Sequence, residues 1–234
     1  MKKNILIILL LLSAAVNIVP QNFSTHYLHK KQFGFVDEHQ AKKISEENSK
    51  IKISSSLDKK SNLNKIVFGY LPYWEYLNSR QFIRYNLLSH IALFDFYVSA
   101  NGAITNPPYW PWTDVINLAK QNGVKTILCA TNFNDSLINI IIRTPTVYQN
   151  FFNNLKNIIT QHQLDGVNID FEGLKTIDRG AVFNSFMAEL KNYFTLHLPG
   201  KEISFAGPAV NWGGHWNFGE LKNHLDFIFV MGYD

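Results

Sequence analysis

The sequence predicts an α/β protein, a TIM-type (β/α)8 barrel with about six of its eight units present, and three observations carry that reading. Short runs rich in β-branched and aromatic residues alternate with amphipathic segments of helical length from residue 65 to 234, the pattern of a parallel sheet covered by crossover helices. No glycine-rich phosphate loop follows the first run, "KIVFGYLPYW", which disfavours an open doubly wound dinucleotide-binding sheet. Polar residues also gather at the carboxyl ends of the runs: Tyr70, Tyr73, Asp95, Asn132, Glu172, Asn211, Tyr233 and Asp234. A barrel keeps its chemistry at that end.

Residues 1 to 21 hold two lysines, an apolar run from Ile5 to about Val16, and the small residues Ser13, Ala14 and Ala15. That is the layout of a secretory signal, with an apolar run shorter than the roughly 20 residues of a membrane span. It predicts an exported product, secreted, periplasmic or at the cell surface, with no stable membrane insertion after cleavage; an uncleaved anchor is the competing reading. Residues 22 to 64 turn to Lys, Ser, Asn, Glu and Gln without a sustained period, which predicts a mobile polar leader. His26 and His29 lie in it with no supporting ligand set and read as exposed histidines.

The formal charge of +4 is unevenly placed: residues 1 to 64 carry ten Lys or Arg against five Asp or Glu, and residues 65 to 234 carry twelve against thirteen. The globular part is therefore near neutral, which gives no support to a nucleic-acid partner. The lone cysteine, Cys129, excludes an intrachain disulfide and a thiolate metal cluster.

Strands are predicted at residues 65 to 74, 90 to 98, 125 to 133, 166 to 172, 202 to 210 and 226 to 234. Between them, residues 113 to 123 place Val115, Leu118 and Ala119 at helical spacing, with Gly123 suited to the exit turn. Residues 144 to 164 open with Thr144 as a cap and Pro145 at the first helical position. Residues 178 to 200 present Phe183, Phe186, Met187 and Leu190 on one side. A full barrel typically has about 250 residues, whereas residues 65 to 234 make 170 and end on a strand. The sequence thus predicts an incomplete barrel domain, lacking two terminal units, with strand edges and a flank uncovered.

The stretch "LDGVNIDFEGL" at residues 164 to 174 carries the chemistry. A strand sends Asn168, Asp170 and Glu172 to one face and Val167, Ile169 and Phe171 to the other. Buried carboxylates are costly unless paired or hydrogen-bonded, so two on one face call for a reason. Asp170 beside Glu172 raises the affinity of the pair for a single proton, and a carboxylic acid still protonated near neutral pH can act as a general acid. Buried ion pairs with Lys or Arg of neighbouring strands are the bland alternative.

"DGVNIDFE" resembles the Asp-Gly-x-Asp-x-Asp-x-Glu signature of family 18 glycoside hydrolases, the chitinases and related N-acetylglucosaminidases. It matches at Asp165, Gly166, Asp170 and Glu172 and departs at Asn168. "FVMGYD", ending at Asp234, looks like the family's Met-x-Tyr-Asp element, and Gly69 with Tyr70 is a weaker match. "CATN" at residues 129 to 132 stands where the family has Ser-x-Gly-Gly. The resemblance implies hydrolysis of β-1,4-linked N-acetylglucosamine polymers by a retaining, substrate-assisted route with no cofactor and no metal. Glu172 is then the acid, Asp170 orients the acetamido group and Tyr233 hydrogen-bonds it. Tyr70, Asn168, Met231, Asp234 and Trp212 complete the sugar site.

Asn168 can donate a hydrogen bond to Asp170 but cannot share its proton, and an amide there resembles the branch of the family that acts on spore cortex and other peptidoglycan. Asp165 is as well suited to bracing the loop before the strand as to touching substrate. Trp110, Trp112, Trp212 and Trp216 fall in predicted loops and serve either as flat platforms for sugars or as rim packing. His215 reads as a hydrogen-bonded loop residue. Two further readings are a sugar-binding protein without catalysis, which the presence of Glu172 disfavours, and an inactive fragment.

Overall fold

Strands with apolar side chains at alternate positions have one face for a helical layer and one for a barrel interior. The computed structural model describes residues 25–54 and 63–232, so the signal segment, Tyr233 and Asp234 lie outside the described residues. Two helices, α1 (Thr25–Phe33) and α2 (Glu38–Ser49), precede the barrel. The barrel elements follow as β1 (Phe68–Pro72), the short α3 (Tyr76–Ser79), β2 (His90–Val98), β3 (Ile104–Thr105), α4 (Thr113–Gln121) and β4 (Lys125–Asn132). The rest are α5 (Asp135–Arg143), α6 (Pro145–Gln161), β5 (Gly166–Phe171), α7 (Ala181–His197), β6 (Glu202–Pro208), α8 (Phe218–Leu221) and β7 (Phe227–Met231).

The six long strands pair in the order β1-β2-β4-β5-β6-β7, all parallel, and β3 adds a short antiparallel rung to β2. The sheet is a curled partial barrel. Its edges, β1 and β7, approach through inward aromatics, with Phe68 5.6 Å from Phe227 and Tyr70 5.0 Å from Phe229, measured between ring centroids. The main core lies between sheet and helices, where Val167, Ile169 and Phe171 of β5 meet Phe151, Phe152, Phe183 and Phe186. A smaller inner cluster of Ala92, Phe94, Ile127 and Cys129 fills the barrel interior.

A register shift in β2 between Leu93 and Phe96 breaks its alternation. Ala92 and Phe94 face inward, yet Phe96 and Val98 belong to the outer core. Asp95 is thereby turned into the barrel, as a bulge does when it re-aims a side chain. Gly166 starts β5 where a Cβ would lie 2.3 Å from the backbone oxygen of Glu202, so only glycine allows that close strand approach.

All six predicted strands form, trimmed at their ends. The α4 stripe differs in one place: Val115, Ile116 and Ala119 are buried while Leu118 is 44% exposed. Gly123 does follow the end of that helix with a φ of +71°. Thr144 caps α6 through its backbone oxygen, which accepts from Val147 and Tyr148, and not through its side chain. The leader departs most from expectation. Its described part is helical, and α2 is fastened by Asn48, which donates to the Tyr76 hydroxyl at 2.9 Å and to the Tyr109 carbonyl at 3.0 Å.

Candidate active site

Parallel strands bring their carboxyl ends to one rim, and β5 delivers both acids there. Asp170 is fully buried and Glu172 is 7% exposed. Below them, the Tyr70 hydroxyl of β1 donates to Asn168 Oδ1 at 3.0 Å, and Asn168 Nδ2 donates to Ser204 Oγ at 2.9 Å. The amide thus bridges β1, β5 and β6. That amide nitrogen donates to Ser204 and makes no hydrogen bond to Asp170 among the described residues, where the sequence pointed to one. The Cys129 thiol points to the same place, 3.6 Å from Asn168 Oδ1 and 3.9 Å from Asp170 Oδ2. Burial, with the nearby Asp170 charge, pushes that thiol well above its usual range.

The partner of the two acids comes from the leader. His26 Nδ1 lies 3.0 Å from Asp170 Oδ2 and 2.9 Å from Glu172 Oε1. His26 Nδ1 hydrogen-bonds Asp170 Oδ2 and makes an ion-pair contact with Glu172. Burial alone would lower the basicity of His26, but its contacts with the two acids and their charges outweigh this and raise it to about 10. Asp170 Oδ1 and both oxygens of Glu172 are buried without a hydrogen-bond partner among the described residues. Burial first, opposed by His26 and reinforced by the Asp170 charge, pushes Glu172 up to about 8.

His26 is therefore no exposed leader histidine, and the ion pair on the acids involves no Lys or Arg of a neighbouring strand among the described residues. The same three side chains form a group whose ligand atoms lie within 4.8 Å of one another, as a divalent cation would require. In this structure the imidazole makes direct ion-pair contacts with both acids, at 2.9 and 3.0 Å.

A cavity of about 390 Å³ opens beside Glu172, lined by Met231, Phe205, Pro208, Trp212, Trp216 and Arg179 among others. Its volume falls in the range of about 300–1,000 Å³ usual for small-ligand sites. Trp212 is 79% exposed on its wall, whereas Trp216 stacks on Phe218 with ring centroids 5.9 Å apart and lies 5.7 Å from Phe183. Trp110 and Trp112 are buried in the core and are not platforms. Trp112 stacks on Tyr76 at 4.9 Å.

Other rim residues brace the structure. Asn132 donates to the Val98 carbonyl at 2.7 Å, Asn211 ties both polar groups of its amide to the Trp216 backbone, and the Tyr73 hydroxyl donates to the Gly34 carbonyl at 3.1 Å. Asp165 sits at the opposite end of β5, accepting from Thr126 N at 2.8 Å; bracing the loop is its role. Sequence reasoning passed over Trp74, whose ring lies 5.7 Å from Phe94 at the mouth, and Ser204. Trp74 is the last residue of a predicted strand, a position that sequence marks; Ser204 becomes visible only through strand register.

The model of glycosyl hydrolases family 18 matches residues 66–234. A Bacillus subtilis (strain 168) protein whose name describes a sporulation-specific glycosylase, YdhD, is 26% identical over 156 residues, covering 62% of this chain and 36% of that protein. A cortical fragment-lytic enzyme of Bacillus anthracis is 23% identical over 159 residues, covering 63% of this chain and 36% of that protein. A solved chitinase from Bacteroides thetaiotaomicron aligns at 22% identity with a TM-score of 0.64, over 73% of this chain and 54% of that one. The chain thus spans about a third to a half of the length of these relatives, and the structural likeness shows the partial barrel fold. With the family signature on β5 and the match running from β1 to the last residue, the chain belongs to family 18 of the glycosyl hydrolases.

Proposed function

We propose that the chain carries the acid machinery of a hydrolase of β-1,4-linked N-acetylglucosamine polymers. The observation that carries this reading is the pair Asp170 and Glu172 on one inward strand face at the rim, with Glu172 held protonated up to about pH 8 by burial. A protonated carboxyl at neutral pH is what a glycosidic leaving oxygen requires.

In the proposed sequence Glu172 gives its proton to the leaving oxygen while the carbonyl oxygen of the sugar's own 2-acetamido group forms a bond to the anomeric carbon. The carbon–oxygen bond to the departing sugar breaks, leaving an oxazolinium ion whose N–H Asp170 holds. Glu172, now a carboxylate, takes a proton from water as the water's oxygen attacks the anomeric carbon from the vacated side, and the bond from the acetamido oxygen to that carbon breaks, which opens the oxazolinium ring and restores the acetamido group; the configuration is retained. Tyr233 and Asp234 are proposed to hold the acetamido group, with Met231 and Trp212 on the wall of the sugar site and Tyr70 and Asn168 supporting it from below. We further propose that residues 1 to 21 direct export.

The test is turnover of a fluorogenic chitotrioside by the parent and by Glu172→Gln. Loss of turnover with retained sugar affinity supports the reading, and equal turnover by both proteins removes Glu172 from its role. Peptidoglycan is the second substrate reading. It is favoured by Asn168, and by relatives named as a sporulation-specific glycosylase and a cortical fragment-lytic enzyme. Release of reducing N-acetylglucosamine ends from purified cortex fragments, with none from chitin oligomers, would select it.

A further inference from the structure

The sugar cleft is occupied. Helix α1 lies in the barrel mouth: besides His26 on the acids, Lys30 Nζ reaches Asp95 Oδ2 at 2.6 Å and sits 5.7 Å above the Tyr97 ring, while Tyr27 meets Phe133 at 6.0 Å. The His26 ring packs 5.3 Å from Tyr70 and 5.1 Å from Phe94. Cavities border the helix on three sides. One of about 420 Å³ is shared by His26, Tyr70 and Trp74, one of about 520 Å³ by Tyr27, Lys30 and Asn132, and Thr25 touches the cavity beside Glu172.

We propose that α1 is a tethered inhibitor of this cleft, a segment that must leave before an amino-sugar chain can bind. The inference rests on the sugar-site reading above. His26 Nδ1 places a donor 3.0 Å from Asp170 Oδ2, where that reading puts the acetamido N–H, and the two cannot be there together.

The hold is of a releasable kind. No residue of α1 is buried, so little apolar area opposes its departure, and its tie to the acids and Asp95 is a pair of cations on carboxylates. Residues 34 to 37 form no helix, and α2 stays fastened by Asn48 to Tyr76 and Tyr109. The chain can therefore swing α1 away about residues 34 to 37 without unfastening the rest of the leader. Gly34 is the tight point of that swing: a Cβ there would lie 2.3 Å from both the Lys30 carbonyl and the Tyr73 hydroxyl.

The experiment compares the full chain with His26→Ala/Lys30→Ala and, separately, Gly34→Ala, which displaces α1 without altering a side chain of the cleft. Two readouts are taken: hydrogen exchange of residues 25–33 with and without chitotriose, and chitotriose affinity by tryptophan fluorescence. The expected result is protection of that segment in the parent, loss of protection on adding chitotriose and in both variants, and a gain in sugar affinity of about tenfold in each variant. A segment that exchanges freely in the parent overturns the proposal, as does release with no gain in affinity. Tighter binding by both variants with no hydrolysis in any protein would sustain the inhibitor and sink the hydrolase reading instead.

Discussion

The two ends of the barrel treat their carboxylates in opposite ways. At the amino end, Glu202 is paired by the barrel's own residues, with His90 Nε2 at 2.8 Å and Lys125 on its other oxygen. Burial works against its charge there, but the hydrogen bonds of His90 and Lys125 win and its acidity is strengthened. Asp165 and Asp226 at the same end accept backbone N–H groups of neighbouring strands at 2.8 and 2.7 Å. At the carboxyl end the barrel's described residues supply no cation to Asp170 or Glu172, three of their four oxygens make no hydrogen bond among the described residues, and Glu172 becomes a weaker acid. Charges satisfied in place stabilise a fold, and charges left for something else to satisfy mark a site. In this structure the something else is α1.

Exchanging the acids across the two ends gives the largest contrast. Glu172→Gln is expected to lower chitotrioside turnover by about 10²–10⁴-fold, the usual range for a lost general acid, with an unchanged melting temperature. Glu202→Gln should leave turnover within about twofold while costing on the order of 1–3 kcal/mol in urea unfolding, because His90 and Lys125 lose a charged partner. Turnover loss in Glu202→Gln equal to that in Glu172→Gln would erase the distinction between the ends.

The tryptophans sharpen the same comparison. Trp112→Ala, deep in the core, is expected to cost about 3–5 kcal/mol, whereas Trp212→Ala on the cavity wall should stay within about 0.5 kcal/mol and raise KM alone. Denaturant midpoints and initial rates measure the two effects separately.

A smaller effect follows from protons. Docked His26 holds its proton up to about pH 10 against an ordinary 6.5, so its contribution is complete below pH 6.5 and is lost as pH rises through 10. Glu172, raised from 4.5 to about 8, acts in the same direction, its ionisation becoming a cost as pH climbs through that interval. Stability should therefore fall between pH 6 and pH 9, by on the order of 2 kcal/mol, since the group shares its protons. His26→Ala should flatten that slope; an identical slope in both proteins would remove the imidazole from the account.

Much of the barrel and its acids was legible from residue order. Alternation along β5 put Val167, Ile169 and Phe171 on the helices and Asn168 and Asp170 inside, because strand parity is local. What depends on distant segments was not. Asp95 was legible as a strand-end acid, but its inward aim rests on a register shift in β2, and the bridge from Tyr70 through Asn168 to Ser204 exists only because three strands share one register. Trp110 and Trp112 sit in a loop that folds into the core, which loop composition does not reveal. The leader departs most from its sequence reading: α1 has no buried residue and no strong apolar stripe, so nothing in its own sequence shows that its charges complement acids 65 and 144 positions away.

The most direct measurement is the rate of one trisaccharide substrate with and without its N-acetyl groups, in the parent chain and in Gly34→Ala. Acids arranged for an amino sugar's self-assisted cleavage predict hydrolysis of the acetylated trisaccharide, faster in Gly34→Ala, and none of the deacetylated one. Equal rates on both sugars would contradict the account, because the proton of Glu172 would then be acting without the acetamido group that Asp170 is proposed to hold.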